Sequence, residues 1–275
     1  MTRIAETFTR LGNDNRKALV IYITASDPDL DTSVEAAMAA IDAGADLLEI
    51  GVPFSDPVAD GPVIQRAMHR ALEAGGGFDQ ALELTRRVRA KTDTPIVLFG
   101  YLNPLLWQTF SASCEAVKKA GADGLLVVDL PPEETKPFRE AASEHGLDWI
   151  TLVAPTTSAT RTELITETGS GFVYIVSMTG VTGGNLQETS TPEQTVKNVR
   201  RTTQLPACIG FGVRDETTAF ETAQLADGVV VGSAVVAALE RGCQEKVGAQ
   251  RVGELVQALR AGVDKASHLA ATRGE

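Results

Sequence analysis

Three acids follow the opening Asp46 of one short stretch, D-L-L-E-I-G-V-P-F-S-D-P-V-A-D-G-P over residues 46–62: Glu49, Asp56 and Asp60. Glu49 lies inside an apolar run (Leu47, Leu48, Ile50) that breaks at Gly51 and Pro53, the pattern of a short buried strand. Side chains alternate across a strand, so Leu47 and Glu49 share one face while Leu48 and Ile50 share the other. A carboxylate at the end of a buried strand is costly unless it is paired, hydrogen-bonded or protonated. A shifted pKa of that kind lets a Glu work as acid and base near neutral pH. The competing reading is a Glu at the strand's solvent end, ion-paired to a neighbouring helix. Asp60-Gly61-Pro62 is also open, because an acid there could simply cap the next helix. Asp56-Pro57 fits an ordinary turn.

A second kind of chemistry is suggested by glycine-containing turns late in the chain. They are Gly180-Val181-Thr182-Gly183-Gly184, Gly210-Phe211-Gly212 and Gly232-Ser233, the last just before Ala234 opens a helix. Glycines let the backbone approach an anion, and exposed N–H groups at a helix start supply donors. Read singly, each could be no more than a tight turn. Together they suit a phosphate.

These residues need a scaffold, and the chain has room for one. It has 275 residues, 43% hydrophobic, enough for one large domain. Apolar runs at Leu19–Thr24, Asp46–Ile50, Pro95–Phe99, Gly124–Val128, Trp149–Leu152, Phe172–Val176, Ala207–Phe211 and Gly228–Val231 read as strands, with amphipathic helical stretches between them. Strands alternating with helices imply a parallel sheet, and eight such units favour a closed (β/α)8 TIM barrel of class α/β. An open doubly wound sheet is the structural alternative, but residues 24–28 read T-A-S-D-P and hold no G-x-G-x-x-G after the first strand. Ile4, Phe8 and Leu11 predict an extra N-terminal helix, a short lead-in, and Val63–Leu72 with Phe78–Arg89 predict an extra helix between strands two and three. One domain covering 1–275 is expected, its core over about 16–266, with a frayed tail after Ala266. The phrases A-G-A-D-L-L-E-I, A-G-A-D-G-L-L-V-V-D and Q-L-A-D-G-V-V-V-G announce three strands, each read as a helix end and a tight turn. In such a barrel the site forms where strands end, in the loops that follow. Glu49 and the glycine turns fall there, with Tyr174, Tyr101, Asn103 and Asp129 as further candidates for the mouth.

Composition narrows the function. The formal net charge of −11 disfavours nucleic acid over the whole surface. Cys114, Cys208 and Cys243 give no disulfide framework, and His69, His145 and His268 have no metal-ligand spacing. No run approaches a membrane span, which points to a cytoplasmic setting. A sugar-phosphate isomerase or aldolase would fit the barrel, yet no strand candidate carries the Lys that Schiff-base chemistry needs.

The 47–62 segment, continued through V-I-Q, resembles the characteristic segment of the tryptophan synthase α-chain family almost residue for residue. The likeness runs in order through I-T-A-S-D-P (23–28), G-Y-L-N-P-L (100–105), V-V-D-L-P-P-E-E (127–134), S-M-T-G-V-T-G (177–183), G-F-G-V (210–213) and V-V-V-G-S-A (229–234). It implies cofactor-free cleavage of indole-3-glycerol phosphate to indole and glyceraldehyde 3-phosphate. On this resemblance Glu49 is the general acid and base, Asp60 accepts the indole N–H, and Phe211, Tyr174, Tyr101 and Thr182 meet the substrate. Gly183, Gly212, Gly232 and Ser233 hold the phosphate, and Thr182 closes over Asp60 as a 177–191 lid folds down. No metal is implied. An α2β2 assembly is, with pyridoxal phosphate confined to the β chain, docking through Pro53–Asp60, Tyr101–Leu105 and Asp129–Glu133. A stand-alone lyase releasing indole and a non-catalytic activator of a β partner are the alternatives. Met178 stands where some relatives have Arg, and Ser26 where Gly is commoner.

Overall fold

A computed structural model describes residues 1–106, 108–176, 191–210 and 212–273, the last three by backbone only. The strands are β1 (Ala18–Thr24), β2 (Leu47–Gly51), β3 (Ile96–Gly100), β4 (Gly124–Val127), β5 (Asp148–Trp149), β6 (Thr151–Val153), β7 (Val173–Val176), β8 (Ala207–Gly210) and β9 (Gly228–Val231). All recorded pairings are parallel, in the order β5-β4-β3-β2-β1-β9-β8-β7-β6. The two ends of that order are joined through Ile150, so β5 and β6 are halves of one interrupted strand. Ile150 N–H bonds Leu125 C=O at 2.9 Å on one side, and Ser170 N–H bonds Trp149 C=O at 2.9 Å on the other. The sheet is therefore the expected eight-stranded barrel, with its fifth strand broken.

The helices are α1 (Arg3–Asn13), α2 (Leu30–Asp42), α3 (Pro62–Glu73), α4 (Phe78–Arg89), α5 (Leu102–Leu105), α6 (Phe110–Ala120), α7 (Lys136–Glu144), α8 (Ala159–Glu167), α9 (Pro192–Thr202), α10 (Glu216–Ala223), α11 (Ser233–Gln244) and α12 (Gly248–Arg273). Both helices predicted between strands two and three are present as α3 and α4.

Alternation sorts each strand into two layers. Ala18, Val20, Leu47, Val97, Leu126, Phe172, Cys208 and Val230 fill the barrel interior. Leu19, Ile21, Ile23, Leu48, Ile50 and Leu98 face the helices instead. Helix α1 corrects the expectation of a lead-in outside the core. Ile4 and Leu11 are 0% and 1% exposed and pack among the interior residues, with the Phe8 ring 5.8 Å from that of Phe172. The helix plugs the N-terminal end of the barrel, because that end would otherwise leave an apolar floor in water. Helix α12 continues past Ala266 to Arg273, anchored by Val252, Val256, Leu259 and Val263, all fully buried.

The recurring A-D phrase proves to be more than a turn. Asp46, Asp123 and Asp227 each accept the backbone N–H of the neighbouring strand, from Leu19, Ile96 and Ala207, all at 2.9 Å. Each also pairs with arginine: Arg260 with Asp46 at 2.8 Å, Arg89 and Arg3 with Asp123 at 2.7 and 2.9 Å, and Arg200 with Asp227 at 2.9 Å. An acid that takes a ladder donor and a guanidinium together pins strand register at the barrel's N-terminal end.

Candidate active site

Glu49 is the third of five positions in β2, between Tyr22 on β1 and Val97 on β3 in the parallel register. Its parity with Leu47 turns it into the barrel, above the apolar layer, as alternation requires. It is 1% exposed, and neither carboxyl oxygen has a hydrogen-bond partner among the described residues. The reading of a solvent-end Glu paired to a helix is thereby excluded. Burial alone pushes its carboxyl from the usual carboxylate range to about 8. A proton therefore sits on Glu49 near neutral pH, where it can be given up or regained.

Asp60 reaches the same cavity from the loop that follows β2. It does not cap α3: the N-cap is Gly61, no side chain bonds the free amides, and Pro62 opens the helix. Its partner is Tyr101, whose Oη donates to Asp60 Oδ2 at 2.6 Å and accepts from Ala59 N–H at 3.0 Å. Burial raises the Asp60 carboxyl, and the Tyr101 hydrogen bond pulls it back down.

Two phenols flank the acids. Tyr22 and Tyr174 line the cavity with Glu49 and Asp60, and burial holds both phenols well above their ordinary range. Each ring lies over a glycine. A Cβ on Gly51 would fall 2.0 Å from Tyr22 Oη, and one on Gly210 would fall 2.2 Å from Tyr174 Oη. Here glycine is required for close approach, so the G-V-P and G-F-G punctuation also makes room for aromatic side chains. Phe99 meets Tyr22 edge-on at 5.3 Å.

The opposite wall is backbone. Gly212, with φ +67°, and Gly232-Ser233 line the same cavity of about 420 Å³. A Cβ on Gly212 would meet nothing within 4 Å, so open space lies beside it. Helix α11 starts at Ser233 with no side-chain cap, leaving its first amides for a ligand, whereas the α10 start is closed by a capping box between Asp215 and Thr218. Of the two helix starts, that of α11 is the one whose free amides suit an anion.

The predicted residues Glu49, Asp60, Tyr174, Gly212, Gly232 and Ser233 meet around one cavity. Tyr101 is 1% exposed and stands behind Asp60 rather than on the cavity wall. Thr182, Gly183 and Phe211 lie outside the described residues, as do Met178 and all of the 177–191 lid except Thr191, which caps α9. Tyr22 and Ile64 were missed. The alternation Ala18, Val20, Tyr22 would have aimed Tyr22 inward at the mouth, but β1 is apolar on both faces and hides its own period.

The sequence model of the tryptophan synthase alpha chain family matches residues 8–264. The chain belongs to that family. A tryptophan synthase alpha chain of Geotalea uraniireducens is 46% identical over 265 residues, covering 96% of this chain and 98% of that protein. One from Thiobacillus denitrificans is 46% identical over 268 residues, covering 97% and 98%. Among solved structures, tryptophan synthase subunit alpha of Legionella pneumophila superimposes with a TM-score of 0.88 at 37% identity, covering 96% and 99%. The family's barrel is thus this chain's barrel from end to end.

Proposed function

We propose that Glu49 and Asp60 carry the family's chemistry in this chain. As a family member the chain is a carbon–carbon lyase of tryptophan biosynthesis, the α subunit that cleaves indole-3-glycerol phosphate. The observation that carries the residue assignment is Glu49 itself, buried, without a partner among the described residues, and raised to about 8.

Cleaving the bond from indole C3 to the glycerol carbon by a retro-aldol route requires a proton on C3 and loss of the proton from the adjacent hydroxyl. Protonated Glu49 gives its proton to C3. The resulting carboxylate takes the hydroxyl proton as the carbon–carbon bond breaks, and the bond's electrons return to the ring. The products are indole and glyceraldehyde 3-phosphate, and Glu49 ends as it began. While C3 carries the extra proton, positive charge grows on the indole nitrogen, and ionised Asp60 accepts the N–H there. The amides at Gly212 and at the α11 start hold the phosphate. No metal or cofactor enters this scheme.

A β partner, in an α2β2 complex, belongs to the same proposal. Val58 is 84% exposed and Leu106 43%, both at the rim where the loop after β2 and the α5 segment lie, and apolar side chains so exposed suit a protein contact. The three cysteines are free, which agrees with a reducing cytoplasm. Among the described residues no helix is long and apolar enough to cross a membrane.

Mixing the purified chain with indole-3-glycerol phosphate should release indole, and Glu49→Gln should abolish it. Turnover surviving that change refutes the acid–base assignment. Strong activation by an added β chain favours the subunit role, and high activity alone favours a stand-alone lyase.

A further inference from the structure

Asp60 occupies an exposed loop, between Ala59 and Gly61, both open to solvent. Its backbone is tethered by Asp60 N–H to Pro57 C=O at 3.1 Å and by Gln65 Nε2 to Asp60 C=O at 2.9 Å. Neither bond fixes the direction of the carboxyl. Among the described residues the one side chain that does so is Tyr101, through the 2.6 Å contact to Oδ2. Tyr101 is itself held on three sides. Its ring is 1% exposed and stacks against Phe54 with centroids 5.1 Å apart, and Ala59 N–H supplies its oxygen with a donor. That donor leaves the phenolic proton with one direction to point, toward Asp60. The residue after it, Leu102, is fastened in turn by donating its N–H to Asp129 Oδ1 at 2.8 Å.

We infer that Tyr101 is a positioning residue for the reaction, engaging one oxygen of Asp60 so that the other is presented to the indole N–H of the substrate. The inference rests on the role proposed above for Asp60. It replaces direct substrate contact by Tyr101. A bond to an ionised acceptor is about twice as strong as a neutral one, so the hydroxyl both aims the carboxylate and favours its charged form. The second effect matters because the surroundings oppose that charge. Burial raises the Asp60 carboxyl, and Glu49 on β2 with the phenols Tyr22 on β1 and Tyr174 on β7 supply no cation to offset it. Asp129, beside Tyr101, is also an acid.

The test is a double-mutant cycle of Tyr101→Phe and Asp60→Asn, with kcat and KM for indole-3-glycerol phosphate followed across pH. Assays run below the melting midpoint of the least stable variant. Tyr101→Phe should lower kcat/KM about tenfold, mainly through kcat, and move the acid limb of its pH profile up by about one unit. In the Asp60→Asn background the same change should cost little further. An unmoved acid limb in Tyr101→Phe overturns the inference, and so does an undiminished tenfold loss in the Asp60→Asn background, since the phenol would then act on substrate directly. If Asp60→Asn alone keeps full turnover, the proposed role of Asp60 has failed first, and this inference falls with it.

Discussion

The two ends of the barrel treat the same kind of side chain in opposite ways. At the N-terminal end, Asp46, Asp123 and Asp227 each have a backbone donor from the next strand and an arginine within 2.9 Å. At the C-terminal end, among the described residues, Glu49 has neither, and the side chain bonded to the Asp60 carboxyl is a tyrosine. The first group converts buried charge into strand register. The second keeps a carboxyl in apolar surroundings without a cation, which costs stability and yields a group that exchanges protons near neutral pH. The separation is incomplete: Asp148 at the start of β5 has an oxygen with no partner among the described residues, and buried Asp27, after β1 at the C-terminal end, pairs with Arg70 at 2.8 Å. Left-handed backbone does not follow that division, since Asn15, before β1 at the N-terminal end, holds φ +52°. Ser26, after β1 at the C-terminal end, holds φ +61° while buried, and its Oγ has no partner among the described residues.

The largest effect should come from Glu49→Gln. It keeps the shape and removes the proton, so turnover should fall by about a thousandfold or more, to the background of steady-state assays of indole release. Stability should rise rather than fall near pH 8. Unfolded, the carboxyl ionises near its ordinary 4.5, whereas folded it keeps its proton to about 8. Between those values the unfolded chain binds fewer protons, so stability declines as pH climbs and levels off above about 8. Urea midpoints measured from about pH 5 to about pH 9 should show that slope in the native chain and a flatter one in Glu49→Gln. A native chain with no such slope would remove the contrast between the two ends.

Next in size is the opposite end. Asp123→Ala strands Arg3, Arg89 and the Ile96 N–H together, and should cost about 3 kcal/mol in urea unfolding while leaving kcat unchanged in the folded fraction. A change in kcat without loss of stability would show that this end serves the site after all. Smallest is Ser26→Gly, which relieves a left-handed backbone and a buried unpaired hydroxyl. A gain of about 1 kcal/mol is expected by thermal melting. A loss there would mean that the hydroxyl contributes more than its backbone geometry costs.

Much of this was legible in the residues. The apolar runs marked all eight strands, including the fifth, and the alternation Leu47, Glu49 predicted which face carries the acid. Glu49, Asp60, Gly212 and Gly232-Ser233 were named from type and spacing, then from resemblance, and they do line one cavity. Where the reading failed, period was masked or context was distant. Tyr22 was hidden in a strand buried on both faces, and α1 looked peripheral because nothing local says that Ile4 and Leu11 will close a barrel floor.

The sequence by itself determined the barrel, the acid at the end of β2 and the glycine turns, since strand alternation and turn chemistry are local and survive without tertiary context. Only the folded chain decided what surrounds those groups. Tyr101 meets Asp60 across forty-one positions, and Arg260 meets Asp46 across more than two hundred. That Glu49 has no such partner among the described residues is likewise a property of the closed ring. A carboxyl's charge state is set by neighbours that chain order does not specify, so the chemistry of this site became visible only when the strands closed around it.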